Sequence, residues 1–401
     1  MKTGPPMPLT EQGCKQRRRR LWDSLPEEIE WILVADPRHV HYFVNYWVNP
    51  LSFSTSERGL LLLERDGAAT LFEDNFTGKS LNPTKPFVDR IVTEGWYDHT
   101  HSIINRDHAL FTALKTVSDH LYGRPGVIEA EWLPVGAREV LGLDREHHST
   151  SQEPEDKPTP GKSPDLGSII RHLRRQKHDD ELELIRQCMQ AGDAGQAEAL
   201  RVVEPGMTEL QIYQAILNAA TTQAGRPIIL YGDFRATNRK TPKAGGLPTD
   251  YELRQGDMLI LDFSVVMDCY RSDFTNTIAI GGATDDQVML FKLVEAAMKS
   301  GEELLKAGVA AKDVYAATAA PLRESEYSDT WTSHAGHGLG LGHPEAPIIV
   351  PESTDILLAG DVVTLEPALY VEGIGGIRIE HNYLITDEGY ERLSNHHICL
   401  G

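Results

Sequence analysis

The sequence lacks the features that membrane-spanning, secreted or disulfide-stabilised proteins require. Its 401 residues include only four cysteines, which lie far apart and form no C-x-x-C pair. This usage fits reduced thiols and argues against disulfides or a cysteine-based zinc site. No apolar run approaches the roughly 18 residues of a membrane span, and the N-terminus shows no apolar core of a secretory signal. We therefore expect a cytoplasmic protein that does not bind membranes.

Positive charge is also scarce. The chain has 39 Lys and Arg residues against 59 Asp and Glu residues, which gives a formal net charge of −20. Binding to nucleic acid phosphates requires a local surplus of Lys and Arg. The basic cluster Arg17–Arg20 is interpreted as part of a solvated tail. We therefore predict no nucleic acid partner, and we expect any metal ion to be held by carboxylates and histidines.

Short apolar runs alternate with a helical pattern in the first part of the chain. Trp31–Val34, Gly59–Leu63 and Ala68–Phe72 have the length and composition of strands. Asp107–Leu121 carries apolar residues three and four positions apart, which predicts an amphipathic helix. This alternation favours an α/β unit with a mostly parallel or mixed sheet.

A change of composition marks the predicted domain boundary. Residues 146–165 contain four prolines, many charges and no large apolar residue. Such a segment cannot bury enough apolar surface to offset the entropy of ordering, so we predict a flexible loop or linker. The predicted domains are residues 1–168 and residues 169–401.

The second domain contains an internal repeat. Gly206–Ala215 aligns with Gly308–Ala317 at an offset of 102, and Gly256–Asp262 aligns with Gly360–Glu366 at an offset of 104. Two matches in the same order and at nearly the same offset indicate a duplicated helix-then-strand unit. We predict two related halves that face one another.

Four acids occupy matching places in the two halves. In the first half Asp262 ends the matched strand and Asp273 follows after a turn. In the second half Glu366 ends the matched strand and Glu380 follows after a turn. Ionised acids in apolar strands are costly unless a cation neutralises them, and a divalent metal is the simplest candidate. For any single acid, a strand-end cap or a pair with Arg271 or Arg378 remains open. Four acids in symmetry-related places are harder to explain in that way.

A glycine-rich segment adds a histidine to this set. Glycines on both sides of His337 allow close approach of the backbone to its neighbours. A neutral imidazole beside four carboxylates makes a mixed oxygen and nitrogen ligand set, which favours Mn, Co, Zn or Fe over calcium. The alternative, a phosphate-cradling turn, is disfavoured because no Lys-Ser/Thr pair follows.

Together these motifs resemble the creatinase/aminopeptidase P/prolidase family, whose pita-bread fold is shared with methionine aminopeptidase. The likeness is carried by five residues and their contexts: Asp262, Asp273, His337 in GHGLG, Glu366 in TLEP and Glu380 in IRIE. It extends to Asp36–Tyr42, which resembles the start of the family's N-terminal domain and points to the prolidase/aminopeptidase P branch. The implied fold is α+β, with a C-terminal pita-bread domain preceded by a creatinase-like α/β domain.

The resemblance implies a site for two divalent metal ions. Asp273 and Glu380 would bridge both ions, Asp262 would chelate one, and His337 with Glu366 would hold the other. Manganese is the expected metal, with cobalt, zinc or iron as alternatives. Two such ions activate a shared water molecule and stabilise the oxyanion that forms when a carbonyl group is attacked.

The resemblance also implies catalytic roles. Glu366 stands where the family places its general acid/base, and Arg378 where a partner orients the metal-binding acids. Two departures bear on peptidase activity. The usual upstream substrate-facing histidine is missing and Lys243–Gly246 occupies its place, while the usual downstream histidine falls on Pro344. His343 comes one residue early, and a local bulge would still aim it into the site.

The function implied is hydrolysis of the N-terminal peptide bond of short, proline-containing peptides by a Xaa-Pro aminopeptidase or dipeptidase. A homodimer is also implied. Two alternatives stay open: a hydrolase of another small C–N or amide substrate, like creatinase, and a non-catalytic pita-bread binding protein. The two histidine departures favour the last alternative, whereas the complete ligand set opposes it.

Overall fold

The computed structural model describes residues 9–48, 57–80, 85–102, 105–143, 164–331 and 334–401. Their contacts define two compact units, Pro8–Leu173 and Arg174–Gly401. The domain boundary predicted from the sequence stays a prediction. The linker predicted over residues 146–165 lies outside the described residues except for its last two positions.

The N-terminal unit is built on a five-stranded mixed sheet. Its strands are β1 (Trp31–Val34), β2 (Leu60–Glu64), β3 (Ala69–Asp74), β4 (Arg90–Glu94) and β5 (Gly126–Ile128). Their order is β4-β3-β2-β1-β5, with β1 antiparallel to β2 and parallel to β5. The helices are α1 (Glu11–Asp23), α2 (Pro37–Val44), α3 (Asn75–Ser80), α4 (Asp107–Leu121), α5 (Val135–Val140) and α6 (Leu166–Leu173). The predicted mixed sheet and the predicted helix over residues 107–121 are both present.

The basic cluster does not belong to a solvated tail, contrary to the prediction. It lies on α1, where Arg17 is fully buried. Arg17 Nε donates to the Tyr42 carbonyl oxygen at 2.7 Å, and Arg18 Nη1 donates to the Phe43 carbonyl oxygen at 2.8 Å. Both carbonyls belong to the last turn of α2, where helical carbonyls have no partner within the helix. Arg17 and Arg18 therefore cap a helix.

The C-terminal unit combines four long helices with three sheets. The helices are α7 (Asp179–Val202), α8 (Glu209–Ala224), α9 (Asp285–Glu302) and α10 (Ala311–Arg323), followed by a 3₁₀ turn at Ser328–Thr330. The first sheet has β6 (Ile229–Thr237), β7 (Met258–Met267), β8 (Tyr270–Arg271) and β9 (Phe274–Ala279). None of the helices in the described ranges is long and apolar enough to cross a membrane.

The remaining strands form a second sheet and a hairpin. They are β10 (Gly336–Gly338), β11 (Glu345–Ile349), β12 (Val362–Leu365), β13 (Ala368–Val371), β14 (Gly375–Arg378), β15 (His381–Ile385) and β16 (Tyr390–Arg392). The sheet order is β11-β10-β12-β15-β16, and β13 pairs with β14. Apolar side chains of α9 and α10 pack against this sheet, with Leu290, Val314 and Leu365 fully buried.

The predicted duplication is visible in the backbone. Gly206 and Gly308 adopt left-handed φ angles of 92° and 89°, and Gly256 and Gly360 adopt 90° and 94°. The Gly206 N–H donates to the Leu253 carbonyl oxygen, and the Gly308 N–H donates to the Leu357 carbonyl oxygen, both at 2.8 Å. The two leucines occupy matching places shortly before Gly256 and Gly360. Glycine is required at these turns because other residues rarely adopt such angles. The two halves therefore share their turns as well as their sequence pattern.

Candidate metal centre

The first half contributes Asp262 and Asp273. Asp262 lies within β7, opposite Asp233 of β6 and Thr275 of β9. The prediction that Asp262 ends its strand is wrong, because β7 continues to pair with β6 as far as Val266. Asp273 directly precedes β9 and is buried. The antiparallel pairing of β7 with β9 brings the two aspartates to one place.

The second half contributes Glu366 and Glu380. Glu366 directly follows β12, and its N–H donates to the Ala335 carbonyl oxygen at 3.0 Å. Glu380 lies between β14 and β15 and forms an isolated bridge with Thr275 of the first half. Its carboxylate accepts hydrogen bonds from Thr275 Oγ1 at 2.7 Å and from Thr364 Oγ1. Glu380 is therefore held by a threonine from each half.

The glycines around His337 fit the close approach that the sequence predicted. A Cβ atom on Gly336 would lie 2.0 Å from the Thr364 carbonyl oxygen, and one on Gly338 would lie 2.2 Å from that of Ala346. His337 Nδ1 lies 2.9 Å from the Gly338 carbonyl oxygen. Because a carbonyl oxygen only accepts, Nδ1 carries the proton and Nε2 of the neutral ring is left with its lone pair.

This unprotonated nitrogen faces the acids. His337 Nε2 lies 3.3 Å from Glu366 Oε1 and 3.5 Å from Asp273 Oδ2. Asp262, Asp273 and Glu380 each offer an oxygen within 4.8 Å of the other two. The structure thus brings together all five residues that the sequence predicted as metal ligands.

Burial and mutual repulsion disfavour ionisation of two of these acids. Burial raises the pKa of Asp262 to about 7, although the charge of Arg378 lowers it. Burial, followed by the charge of Asp273, raises the pKa of Glu380 well above its ordinary value. The cluster therefore holds two acids, Asp262 and Glu380, whose ionised forms the surrounding protein does not fully stabilise. A divalent cation fits this set of oxygen atoms and one imidazole nitrogen.

Two further histidines flank the cluster. His343 Nε2 lies 2.7 Å from Asp273 Oδ2, and His334 Nε2 lies 2.9 Å from Glu366 Oε1. Burial raises the pKa of both acids, but the hydrogen bonds from these histidines bring it below the ordinary value. The histidine that comes one residue early therefore does reach the site. The register between β10 and β11 also shifts, at His337/Gly338.

Arg378 lies where the resemblance implied a partner of the metal-binding acids. Its Nη2 contacts Asp262 Oδ2 and donates to Asp233 Oδ2 at 3.0 Å, while Nη1 donates to Tyr370 Oη at 3.3 Å. The sequence reasoning missed Asp233. A signal was present, because Gly232–Asp233 precedes Gly336–His337 by 104 residues, which is also the offset between Asp262 and Glu366.

The segment that replaces the upstream histidine lies beside the same group of residues. Lys243 Nζ lies 5.2 Å from the centre of the Tyr370 ring. The Gly246 carbonyl oxygen accepts the Phe234 N–H at 3.0 Å, and the Gly246 N–H donates to Asp233 Oδ1 at 2.5 Å. The position of the usual upstream histidine is therefore taken by the Lys243 side chain and by the backbone turn at Gly246.

Comparison with known proteins identifies the family. The model of metallopeptidase family M24 matches residues 183–387, more than half of the chain, and this range includes all five acids and histidines of the centre. The chain belongs to metallopeptidase family M24. The predicted family and the predicted enzyme class, a metallo-exopeptidase, are confirmed.

Relatives of this M24 chain cover most of its length. An uncharacterized peptidase of Staphylococcus aureus (strain USA300) is 27% identical over 369 residues, which are 90% of this chain and 94% of the relative. A Xaa-Pro dipeptidase of Pyrococcus furiosus is 29% identical over 234 residues, 57% of this chain and 66% of the relative. The solved Xaa-Pro dipeptidase from Bacillus anthracis superposes with a TM-score of 0.74 at 23% identity, covering 96% of this chain and 99% of that one. The predicted pita-bread architecture is confirmed.

Proposed function

We propose that this M24 enzyme is a Xaa-Pro exopeptidase, an aminopeptidase or dipeptidase, that uses two divalent metal ions. The observation that carries the proposal is the convergence of five ligand-type side chains from both halves: Asp262, Asp273, His337, Glu366 and Glu380. Its similarity to a Xaa-Pro dipeptidase of Pyrococcus furiosus supports the choice of substrate. The substrate is a short peptide with proline after the scissile bond.

The proposed ligand roles are those that the resemblance to the family implies. Asp273 and Glu380 would contact both ions, Asp262 would hold one of them, and His337 with Glu366 would hold the other. We propose manganese, with cobalt, zinc or iron as alternatives that the same ligands accept. When bound, such ions supply Lewis-acid activation of a water molecule and of the peptide carbonyl group.

The protein itself supplies the proton transfer. Glu366 Oε1 takes a proton from the attacking water and returns it to the leaving nitrogen. His334, which is 2.9 Å from Glu366 Oε1, stabilises the ionised form that this step requires. His343 is placed beside Asp273, within reach of a substrate at the centre. Arg378 keeps Asp262 in position.

The test is a paired measurement on the purified protein. We expect about two ions per chain by mass spectrometry, and hydrolysis of a Xaa-Pro dipeptide or a Xaa-Pro-Yaa tripeptide in manganese buffer. The matched peptides with alanine in place of proline control for specificity. Metal binding without hydrolysis of any peptide would contradict the proposal and favour the creatinase-like or the non-catalytic alternative. A cytoplasmic homodimer is part of the proposal, and light scattering checks the assembly.

A further inference from the structure

Asp233 occupies a position in the first half that corresponds to a proposed metal ligand in the second. Gly232–Asp233 on β6 matches Gly336–His337 on β10 at the offset of 104. A Cβ atom on Gly232 would lie 2.1 Å from the Asp262 carbonyl oxygen, just as one on Gly336 would lie 2.0 Å from a carbonyl oxygen of β12. Each glycine therefore lets its strand approach a carbonyl oxygen closely, although the two carbonyls, of Asp262 and Thr364, are not at matched positions. The pairing of β6 with β7 sets Asp233 opposite Asp262.

A guanidinium group separates Asp233 from Asp262. The same nitrogen, Arg378 Nη2, contacts Asp262 Oδ2 and donates to Asp233 Oδ2 at 3.0 Å. The other oxygen, Asp233 Oδ1, accepts the Gly246 N–H at 2.5 Å, so the carboxylate is fixed from both sides. Asp233 is the more exposed acid, with 32% of its side chain accessible against 18% for Asp262.

This arrangement matters because a guanidinium and a metal ion compete for the same carboxylate. Arg378 is permanently charged, and with Asp262 as its sole acidic partner it would occupy the lone pairs that an ion needs. A second carboxylate, that of Asp233, attracts the same guanidinium, so Arg378 is held less strongly by Asp262. Asp262 then keeps an oxygen available while its orientation is still fixed.

We infer that Asp233 is a positioning residue that sets the affinity of the centre for metal by sharing the Arg378 guanidinium with Asp262. The inference rests on the proposed function, because it takes Asp262 as a metal ligand. Asp233 itself does not bind the ions, so the number of ions at saturation does not depend on it.

The experiment is a manganese titration of the metal-free protein by calorimetry. Asp233→Asn keeps the size and the acceptor for Gly246 but removes the charge. We expect its affinity for manganese to fall by roughly 10- to 100-fold with unchanged stoichiometry. Asp387→Asn is the matched control: Asp387 is exposed in the turn after β15 and has no ion pair in the part of the chain that the structure describes. It should bind manganese like the wild type.

A double-mutant cycle tests whether the effect passes through the arginine. In an Arg378→Gln background, adding Asp233→Asn should change the affinity by no more than about twofold. An equal effect in both backgrounds would show that Asp233 acts by its charge alone, and loss of one ion would show that it is a ligand. Either result overturns the inference, as does unchanged affinity in Asp233→Asn.

Two controls keep the outcomes separate. Circular dichroism and thermal unfolding check that the variant is folded, and Asp233→Ser, with a smaller polar side chain, replaces it if it is not. Failure of the wild type to bind manganese in the same titration would overturn the proposed function, and the inference with it. Wild-type binding with an unaffected Asp233→Asn variant overturns the inference alone.

Discussion

Two clusters of ligand-type residues in this protein look alike by distance and differ in how their charges are compensated. One is the centre formed by the two halves of the C-terminal unit. The other lies in the N-terminal unit, where Asp36, His39 and Glu129 offer atoms within 4.8 Å of one another and are all buried. Distance alone would make both of them metal sites.

The N-terminal cluster has its acceptors occupied by the protein. Glu129 Oε2 accepts the N–H groups of Ala35 at 2.8 Å and of Asp36 at 2.7 Å, and Glu129 Oε1 contacts His39 Nδ1. Asp36 accepts from the Arg38 guanidinium, with Oδ2 at 2.6 Å from Nη2. This cluster joins the end of β1 to the start of α2, and we interpret it as structural.

The pKa directions express the same difference. Burial raises the pKa of Asp36, but the hydrogen bond from Arg38 brings it below the ordinary value. At the centre burial outweighs the favourable charges, so the pKa of Asp262 is raised to about 7 and the pKa of Glu380 is raised well above its ordinary value. The clusters therefore differ in that the centre holds two acids, Asp262 and Glu380, whose ionisation the surrounding protein does not favour.

The largest expected effect is loss of metal. Asp273→Asn and Glu380→Gln should each remove both ions, because each residue is proposed to contact both, and activity should disappear with them. His337→Ala should lose mainly one ion. Mass spectrometry of the purified variants measures the ions per chain, and Asp36→Asn is the control from the other cluster. Equal metal content in all four variants would erase the distinction between the clusters.

The next effect separates the role of Glu366 as a proton carrier from its role as a ligand. Glu366→Gln keeps the shape and one coordinating oxygen but cannot relay a proton. Metal should largely remain, while kcat falls by roughly 10² to 10⁴. Glu366→Asp should be intermediate. The readout is hydrolysis of a saturating Xaa-Pro substrate alongside metal content. A near wild-type kcat in Glu366→Gln would mean that another group carries the proton, and His343 and His334 would be tested next.

A substitution in the N-terminal cluster should affect stability and leave metal unchanged. Glu129→Ala removes the acceptor of two buried backbone N–H groups and leaves His39 without its carboxylate. We expect a loss of about 3 to 5 kcal/mol in the free energy of unfolding, measured by urea denaturation. The ions per chain should equal those of the wild type. Loss of metal in this variant would give both clusters the same function.

The smallest effect concerns a partly buried acid, Glu345, whose charge is balanced by two cationic side chains. Burial raises the pKa of Glu345, but the charges of Lys177 and Arg174 lower it to about 2, against an ordinary value of 4.5. Its contribution to stability is complete above pH 4.5 and is lost as the pH falls toward 2. In metal-free protein, stability should fall on the order of 2 kcal/mol more between pH 5 and pH 3 in the wild type than in Glu345→Gln.

The five proposed ligands are found from the sequence because each sits in a short local motif that carries the resemblance. The structure brings the five together, and their role as ligands stays a prediction. Two offsets in the chain also reveal the duplication before any contact is known. Asp233 escapes this reasoning because its importance comes from pairing with Asp262, 29 residues later, and from Arg378 beyond that. The role of Arg17 is likewise non-local, since the Tyr42 carbonyl oxygen that accepts its hydrogen bond lies in the last turn of a different helix. Spacing along the chain does not show which charges meet.

The bridge between Thr275 and Glu380 also has a consequence for folding. The proposed ligands run from residue 262 to residue 380, so the centre is complete only when the two halves are docked. Closing so long a stretch of chain is entropically costly. An ion that binds only the assembled pair acts as a removable cross-link between them. Metal supply would then govern how long the assembled protein persists as well as how fast it works.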